Sequence, residues 1–170
     1  DGNFQVSCNG ASDGYIKLTI HGGSGIYTYL WVGPEGYSAT TKDISGLKAG
    51  IYTCTVTDIN GCVLMPQPVF SLTQPDLLVI TSVNSVSADG SYNITCFGGT
   101  GATDVTVTGG SPGPYTYSWT TSDGSGITQG QQDQNSLTAG TYHLVVTDAY
   151  GCIATADIAL PQPMELVTEL

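Results

Sequence analysis

The chain has no arginine and only three lysines, Lys17, Lys42 and Lys48, against 14 acidic residues, for a formal net charge of −11 over 170 residues. So few cations cannot neutralise a phosphate backbone, which argues against nucleic acid as a partner. The same shortage argues against an anionic membrane surface. Charged residues make up 10% of the chain, against roughly 25% for an average soluble domain. No apolar run approaches the ~18 residues that would mark a bilayer-spanning helix, and no membrane insertion is expected. Also missing are a sustained helical period and the C-x₂-C or clustered-His spacing of a zinc site. No leader pattern opens the sequence, and Asp1 starts in mid-pattern, so the chain reads as a piece of a longer one.

Glycine, serine, threonine and tyrosine fill the space. There are 23 Gly and ten Tyr, with two Trp and three Phe, at a mean hydropathy of +0.07. β-Branched and aromatic residues suit a pleated, half-exposed surface, and glycine suits tight turns. The composition predicts an all-β protein with enough apolar bulk to form a core rather than remain disordered. The acidic excess serves solubility and self-repulsion, with calcium as a secondary expectation and no other cofactor.

The sequence is written twice. "VSCNG" (6–10) returns as "ITCFG" (94–98), and "GGSGIYTYLW" (22–31) as "GGSPGPYTYSW" (109–119). Likewise "GLKAGIYTCTVTDINGC" (46–62) returns as "SLTAGTYHLVVTDAYGC" (136–152), and "LTQP" (72–75) as "LPQP" (160–163). Cys8 and Cys96, Trp31 and Trp119, and Pro75 and Pro163 are each 88 residues apart, and Cys62 and Cys152 are 90 apart. Two copies of one module account for this spacing. The division is placed at 1–83 and 84–170. Segment 76–83, "DLLVITSV", could close the first module or open the second, and "MELVTEL" (164–170) stands in the same register. Asp1-Gly2 matches Asp89-Gly90.

His21-Gly22-Gly23 resembles the oxyanion loop of some esterases. The second copy has Thr108 in place of the histidine and keeps only the glycines. A strand-to-strand corner needing positive φ or close backbone approach explains the pair better.

Within a module, "YIKLTI" (15–20), "IYTYLWV" (26–32) and "GIYTCTVTD" (50–58) alternate with period two, the signature of half-buried strands. Asn60-Gly61 is a hairpin signal, and a last strand is expected through "VLMPQPVFSL" (63–72). Short strands broken by turns every 8–12 residues predict a β-sandwich. Trp31 and Trp119, in the third strand region, and Tyr52 and Tyr142, in a Leu-x-Ala-Gly-x-Tyr pattern, are predicted core residues. The tyrosines stand where a tyrosine corner would tie the loop entering the penultimate strand. The fold class is therefore all-β: two tandem immunoglobulin-like β-sandwich modules.

"VSCNGASDGYIKLTIHGG", "YTYLW", "LKAGIYTCTVTDINGC" and "LTQP" together resemble the SprB repeat, and the second copy resembles it as well. The resemblance covers essentially the whole chain. Cys54 in place of the apolar residue at Leu144, and the looser "GATD" (101–104) against "ASDG" (11–14), are its departures. It implies a long, repetitive cell-surface adhesin of gliding Bacteroidota, exported by the type IX system and propelled by the gliding machinery. An extracellular setting follows, with neighbouring repeats of the same chain as partners.

An exported protein permits disulfides, and joint recurrence suggests Cys8–Cys62 and Cys96–Cys152. A geometric objection stands against them. The end of the first strand and the last hairpin of such a sandwich tend to lie at opposite poles, while a bridge needs Cα atoms within about 7 Å. Cys54 is unmatched and is read as a small buried hydrophobe. Asp58 and Asp148 recur in "TVTDINGC" and "VVTDAYGC"; they are turn acids, or calcium ligands helped by Asn60, Asp13 or Asp43. Asn93-Ile94-Thr95 is a glycosylation sequon. His21 and His143 have no recurring partner, and no catalytic residue is assigned.

Three readings of function are carried in order. The first is a non-enzymatic structural spacer in an adhesin. The second is an adhesive module binding polysaccharide through exposed turns (Tyr37, Tyr150 and the 122–135 loop), with avidity from linkage. The third is an accessory domain of a secreted hydrolase.

Overall fold

A computed structural model describes residues 4–169, so the Asp1-Gly2 landmark lies outside the described residues. Those residues form twelve strands and one 3₁₀ turn, Pro34–Gly36, with no α-helix. The chain divides into two compact units between Asp76 and Leu77.

The first unit contains β1 (Gly14–Ile16), β2 (Tyr27–Val32), β3 (Ser38–Ala39), β4 (Ile44–Leu47), β5 (Gly50–Asp58) and β6 (Val69–Leu72). Its sheets run β1-β4 and β3-β2-β5-β6, with every pair antiparallel. The second unit contains β7 (Asp76–Asn84), β8 (Gly101–Gly110), β9 (Thr116–Thr121), β10 (Gln134–Leu137), β11 (Gly140–Thr147) and β12 (Ile153–Leu160). Its sheets run β10-β8-β7 and β12-β11-β9. Segment 76–83, left open by the sequence, pairs with β8 as the leading strand of the second unit. The division thus falls seven residues before the 83/84 position read from the sequence.

The period-two pattern explains which side chains turn inward. Tyr52, Cys54 and Val56 of β5 are buried while the intervening threonines are not, and β11 buries Tyr142, Leu144 and Val146. Ile16 and Leu18 are buried and Tyr15, Lys17 and Thr19 exposed, as alternation requires, yet only residues 14–16 are paired as strand. Beyond Cys62 only an isolated Thr57–Val63 bridge precedes β6. Pro66 and Pro68 lack the N–H groups that a continuous strand would donate there.

Each core is centred on a fully buried tryptophan, Trp31 or Trp119, at 0% exposure. The indole N–H of Trp31 donates to Thr41 O at 2.9 Å, and that of Trp119 to Gln131 O at 2.9 Å. Satisfying this one polar atom is what allows so large a side chain to be buried without penalty. β4 and β10 both place residues three apart in the core: Ile44 and Leu47, Gln134 and Leu137. A strict strand would put them on opposite faces. A left-handed residue at Gly46 (φ 71) and at Ser136 (φ 62) shifts the register and turns both ends inward.

Tyrosine corners are present in both units. Tyr52 Oη donates to Lys48 O at 3.0 Å. Tyr142 Oη lies 2.8 Å from both Thr138 O and Ser125 O and accepts from Ser125 N at 3.2 Å. Each corner fixes the tight loop before the central strand, where the Leu-x-Ala-Gly pattern places a glycine at φ 147 (Gly50) or φ 155 (Gly140).

Both units also close on themselves by the same bonds, 88 residues apart. Val6 N donates to Thr73 O at 3.1 Å, and Ile94 N to Pro161 O at 3.2 Å. Gly10 N donates to the Gln74 side chain at 2.8 Å, and Gly98 N to that of Gln162 at 2.9 Å. The Gln-Pro pairs thus clip the first segment of a unit to its last, and Val6 and Ile94 are carried into the core.

The corner of the second unit makes more bonds than that of the first, which sets their relative sensitivity. Tyr142→Phe is expected to lower the stability of the second unit by about 1–2 kcal/mol, the cost of leaving buried carbonyls short of a donor. Tyr52→Phe should cost less in the first unit. Denaturant unfolding followed by tryptophan fluorescence measures both.

Candidate functional site

The recurring polar centre of each unit is the aspartate at the end of the central strand. Asp58 Oδ1 accepts Asn60 N and Cys62 N, both at 2.9 Å. Asp148 Oδ1 accepts Tyr150 N at 2.9 Å and Cys152 N at 2.8 Å, while its Oδ2 accepts Ser111 N at 2.7 Å. Both side chains therefore organise the turn that follows, and Asp148 is buried. Backbone donors explain the acidity of both. The Cys62 N–H leads in holding the Asp58 carboxyl below its ordinary range. Burial pushes Asp148 upward, but the N–H groups of Ser111, Cys152, Tyr150 and Gly151 outweigh it and keep its pKa low.

Asp13 and Asp43 are occupied elsewhere. Asp13 accepts Ser7 N at 3.1 Å and Asp43 accepts Leu18 N at 2.9 Å. Asp133 does for Val105 N, at 2.8 Å, what Asp43 does for Leu18. Among the described residues no group of three or more His, Cys, Asp or Glu gathers where a metal could sit.

A correction concerns the cysteines. Cys62 and Cys96 carry free, exposed thiols, so neither the Cys8–Cys62 nor the Cys96–Cys152 bridge forms. The reason is the polar separation of these positions. Cys8 lies at the end where Gly10 meets Gln74 and Asn9 donates to Pro75 O. Cys62 follows the far end of β5, whose first residue, Gly50, pairs with Leu72 near that closing segment. The nine-residue strand that separates the two ends spans about 26 Å at ~3.3 Å per step. Cys54 is a free thiol at 0% exposure beside Trp31, and burial pushes its pKa up.

The 122–135 loop spends several of its polar side chains on its own unit, although only Gln134 is buried among them. Gln129 binds the Trp119 backbone through both ends of its amide, with Nε2 donating at 2.5 Å and Oε1 accepting at 3.2 Å. Gln132 donates to Val105 O. Gln134 is 1% exposed and fully engaged with its own loop, accepting Thr128 N and donating to Thr128 O, both at 2.8 Å. It holds the core position that Ile44 holds in the first unit, a substitution no periodicity rule would locate, because the sequence shows only one more glutamine in a polar run. Tyr150 is exposed at 60%, while Tyr37 stacks edge-on against Tyr52 at 5.4 Å.

The remaining candidates disperse. Asn93 uses its side-chain amide on Ser85 O at 2.7 Å, so the sequon nitrogen is already bonded. His143 pairs with Asp157 at 2.7 Å on the surface, and His21 lies in the first unit. One motif escaped the sequence reading: Gly109-Gly110-Ser111-Pro112-Gly113 has G-x-S-x-G spacing. It sits at a strand-to-strand turn with no helix after it, and Ser111 is 1% exposed, which is not a nucleophile elbow.

A module built twice, with side chains committed to its own turns, is the construction of a repeat protein. Residues 5–36 and 89–124 match the family model of the SprB repeat. The chain contains two copies of the SprB repeat, one opening in each unit, and is a repeat module of the kind found in cell-surface adhesin-like proteins. The SprB repeat is a repeat-module family rather than an enzyme family. No curated protein matches the chain. No helix among the described residues is long and apolar enough to cross a membrane.

Two outcomes follow. Asp148→Ala is expected to destabilise the second unit by about 2–3 kcal/mol, since three backbone donors lose a charged acceptor. Carboxyls held low in the folded state stabilise it above their unfolded pKa, and the benefit fades as pH falls through the folded value. Acid titration of the wild type should therefore lose stability below about pH 4, and Asp148→Ala should flatten that loss. Separately, alkylation mapped by mass spectrometry should label Cys62 and Cys96 in the native protein and Cys54 only after denaturation.

Proposed function

We propose that this chain is a non-enzymatic segment of a large secreted adhesin of the gliding-motility type, acting mainly as an extended spacer. The observation that carries the reading is the conversion of recurring polar residues into internal clips. Gln74 and Gln162, Asp43 and Asp133, and Asp58 and Asp148 each bind backbone of their own unit. A module whose recurring polar groups bind its own backbone spends them on holding shape. Such a chain would be carried to the cell surface by type IX export and moved by gliding machinery acting on other parts of the parent protein. It needs no cofactor, and neither nucleic acid nor a bilayer is among its partners.

The acidic, cation-poor surface favours the same role, because like-charged modules resist clumping along an extended filament. The 122–135 loop supports it as well. Two of its glutamines, Gln129 and Gln132, donate their amides to the backbone of Trp119 and Val105 rather than leaving them free for a sugar.

Binding of the purified protein to a panel of polysaccharides and abiotic surfaces, with and without calcium, tests the reading. Flat responses at high concentration are expected. Saturable binding to one glycan class, abolished by trimming the 122–135 loop, would instead make each module an adhesive unit.

A further inference from the structure

The two copies differ in the length of one internal loop. Trp31 and Asp43 stand 12 residues apart, while their counterparts Trp119 and Asp133 stand 14 apart. The longer loop has a definite use. In the second unit Gly124-Ser125-Gly126 runs across the tyrosine corner, and Ser125 is bonded to it through both of its backbone groups. Ser125 N donates to Thr138 Oγ1 at 2.8 Å and to Tyr142 Oη at 3.2 Å. Ser125 O accepts Thr138 N at 3.2 Å and Tyr142 Oη at 2.8 Å. Contact requires both flanking glycines: a Cβ on Gly124 would strike Tyr142 Oη, and one on Gly126 would strike Ser136 O.

In the first unit the shorter loop stops short of that place. Pro34 stands in for Gly124, lying against Gly50 as Gly124 lies against Gly140. The chain then turns through Pro34–Gly36, and Tyr37 packs edge-on to Tyr52. A cavity of about 230 Å³ opens beside the corner, lined by Gly46, Lys48 and Tyr52 together with Pro34, Glu35 and Tyr37. Gly46, Lys48 and Tyr52 are the counterparts of Ser136, Thr138 and Tyr142, the three residues that hold Ser125 and Gly126.

The bonds made there in the second unit are unmade in the first. Tyr52 is 2% exposed, and its Oη donates to Lys48 O but accepts nothing among the described residues. Lys48 N, the counterpart of Thr138 N, likewise has no acceptor among them. We infer that this cavity is a binding site for a Ser-Gly segment of an extended peptide. The serine N–H of that segment would reach Tyr52 Oη, and the serine carbonyl would accept from Lys48 N.

The rest of the wall suits such an occupant. Glu35 is a non-glycine residue held in the left-handed region at φ 52, a strained conformation of the kind kept at binding sites. Its carboxylate takes Lys48 Nζ at 2.7 Å. The two charges on the wall therefore offset each other, and main-chain hydrogen bonds are left to do the recognising. Only a residue without a Cβ fits against Ser136 in the second unit, which assigns the position after the serine to glycine. Both loops lie inside their units, and the inference does not depend on whether the modules serve as spacers.

Titration of the intact, ¹⁵N-labelled chain with the peptide Ser-Asp-Gly-Ser-Gly-Ile, the sequence of residues 122–127, is the test. Saturable amide shifts confined to residues 35–37 and 46–48 are expected. The dissociation constant should be on the order of 1 mM, as a few hydrogen bonds permit. The same peptide with Ser125→Pro lacks the N–H for Tyr52 Oη and should bind about tenfold more weakly. Ser12→Trp in the protein, at an exposed position that also lines the cavity, should abolish the shifts and leave the core amides in place. An unchanged spectrum at the highest soluble peptide concentration would overturn the inference. So would equal binding of the proline peptide, or shifts that survive Ser12→Trp or centre elsewhere. A methyl pyranoside that shifts these amides where the peptide does not would overturn it as well.

Discussion

Everything in either unit depends on the closing contact between its first segment and its last. The N–H groups of Val6 and Ile94 reach carbonyls at Thr73 and Pro161, and by doing so commit two aliphatic side chains to the core. Without that closure the sheets would lose the residue that fills the end of the sandwich, and Gly14, whose added Cβ would meet Val6, Leu47 and Leu72, would lose one of its three close neighbours. Gln74 and Gln162 make the closure specific, because a side-chain amide following the last strand caps the glycine N–H of the first loop. The Gln-Pro sequence, which reads as a linker, is in this respect a latch. The tryptophan and tyrosine positions then follow from the closed frame. Each buries a large ring with its one polar atom bonded to a neighbouring loop carbonyl.

Much of this frame was legible in the sequence, and the reason is repetition. Two copies in register separate what the fold needs from what drifts, so Trp31 and Trp119, Tyr52 and Tyr142, and the glycine pairs stood out. Period two identified the inward faces of β5 and β11 directly. Legibility failed where a residue's role depends on a contact far along the chain. Gln134 is a core residue because its own loop wraps it, and Asp43 and Asp133 matter because they catch the backbone of the strand opposite. The cysteines misled for a related reason. Recurrence reveals that two positions matter in the same module, but it carries no information about which pole each occupies, and β5 places a full strand length between them. Segment 76–83 could be settled only by pairing, since either neighbouring module would accept an alternating apolar strand.

The candidate site shows the same division. Asp58 and Asp148 were found by recurrence, and the N–H groups they accept belong to the turn that follows each. The molecule's chemistry is mechanical in character. Its recurring polar groups are bonded to its own backbone, and its composition is acidic. This fits a protein that contains SprB repeats and belongs with cell-surface adhesin-like modules.

Each repeat is a separately closed sandwich around its own buried tryptophan, Trp31 or Trp119. Trp31 and Trp119 report on one unit each, so guanidinium unfolding of Trp119→Phe and Trp31→Phe variants reads the units independently by fluorescence. Two transitions are expected, one reported by each tryptophan, and a change in one core should shift only its own. A single midpoint shared by both reporters, and shifted together by a change in either core, would contradict that separate closure.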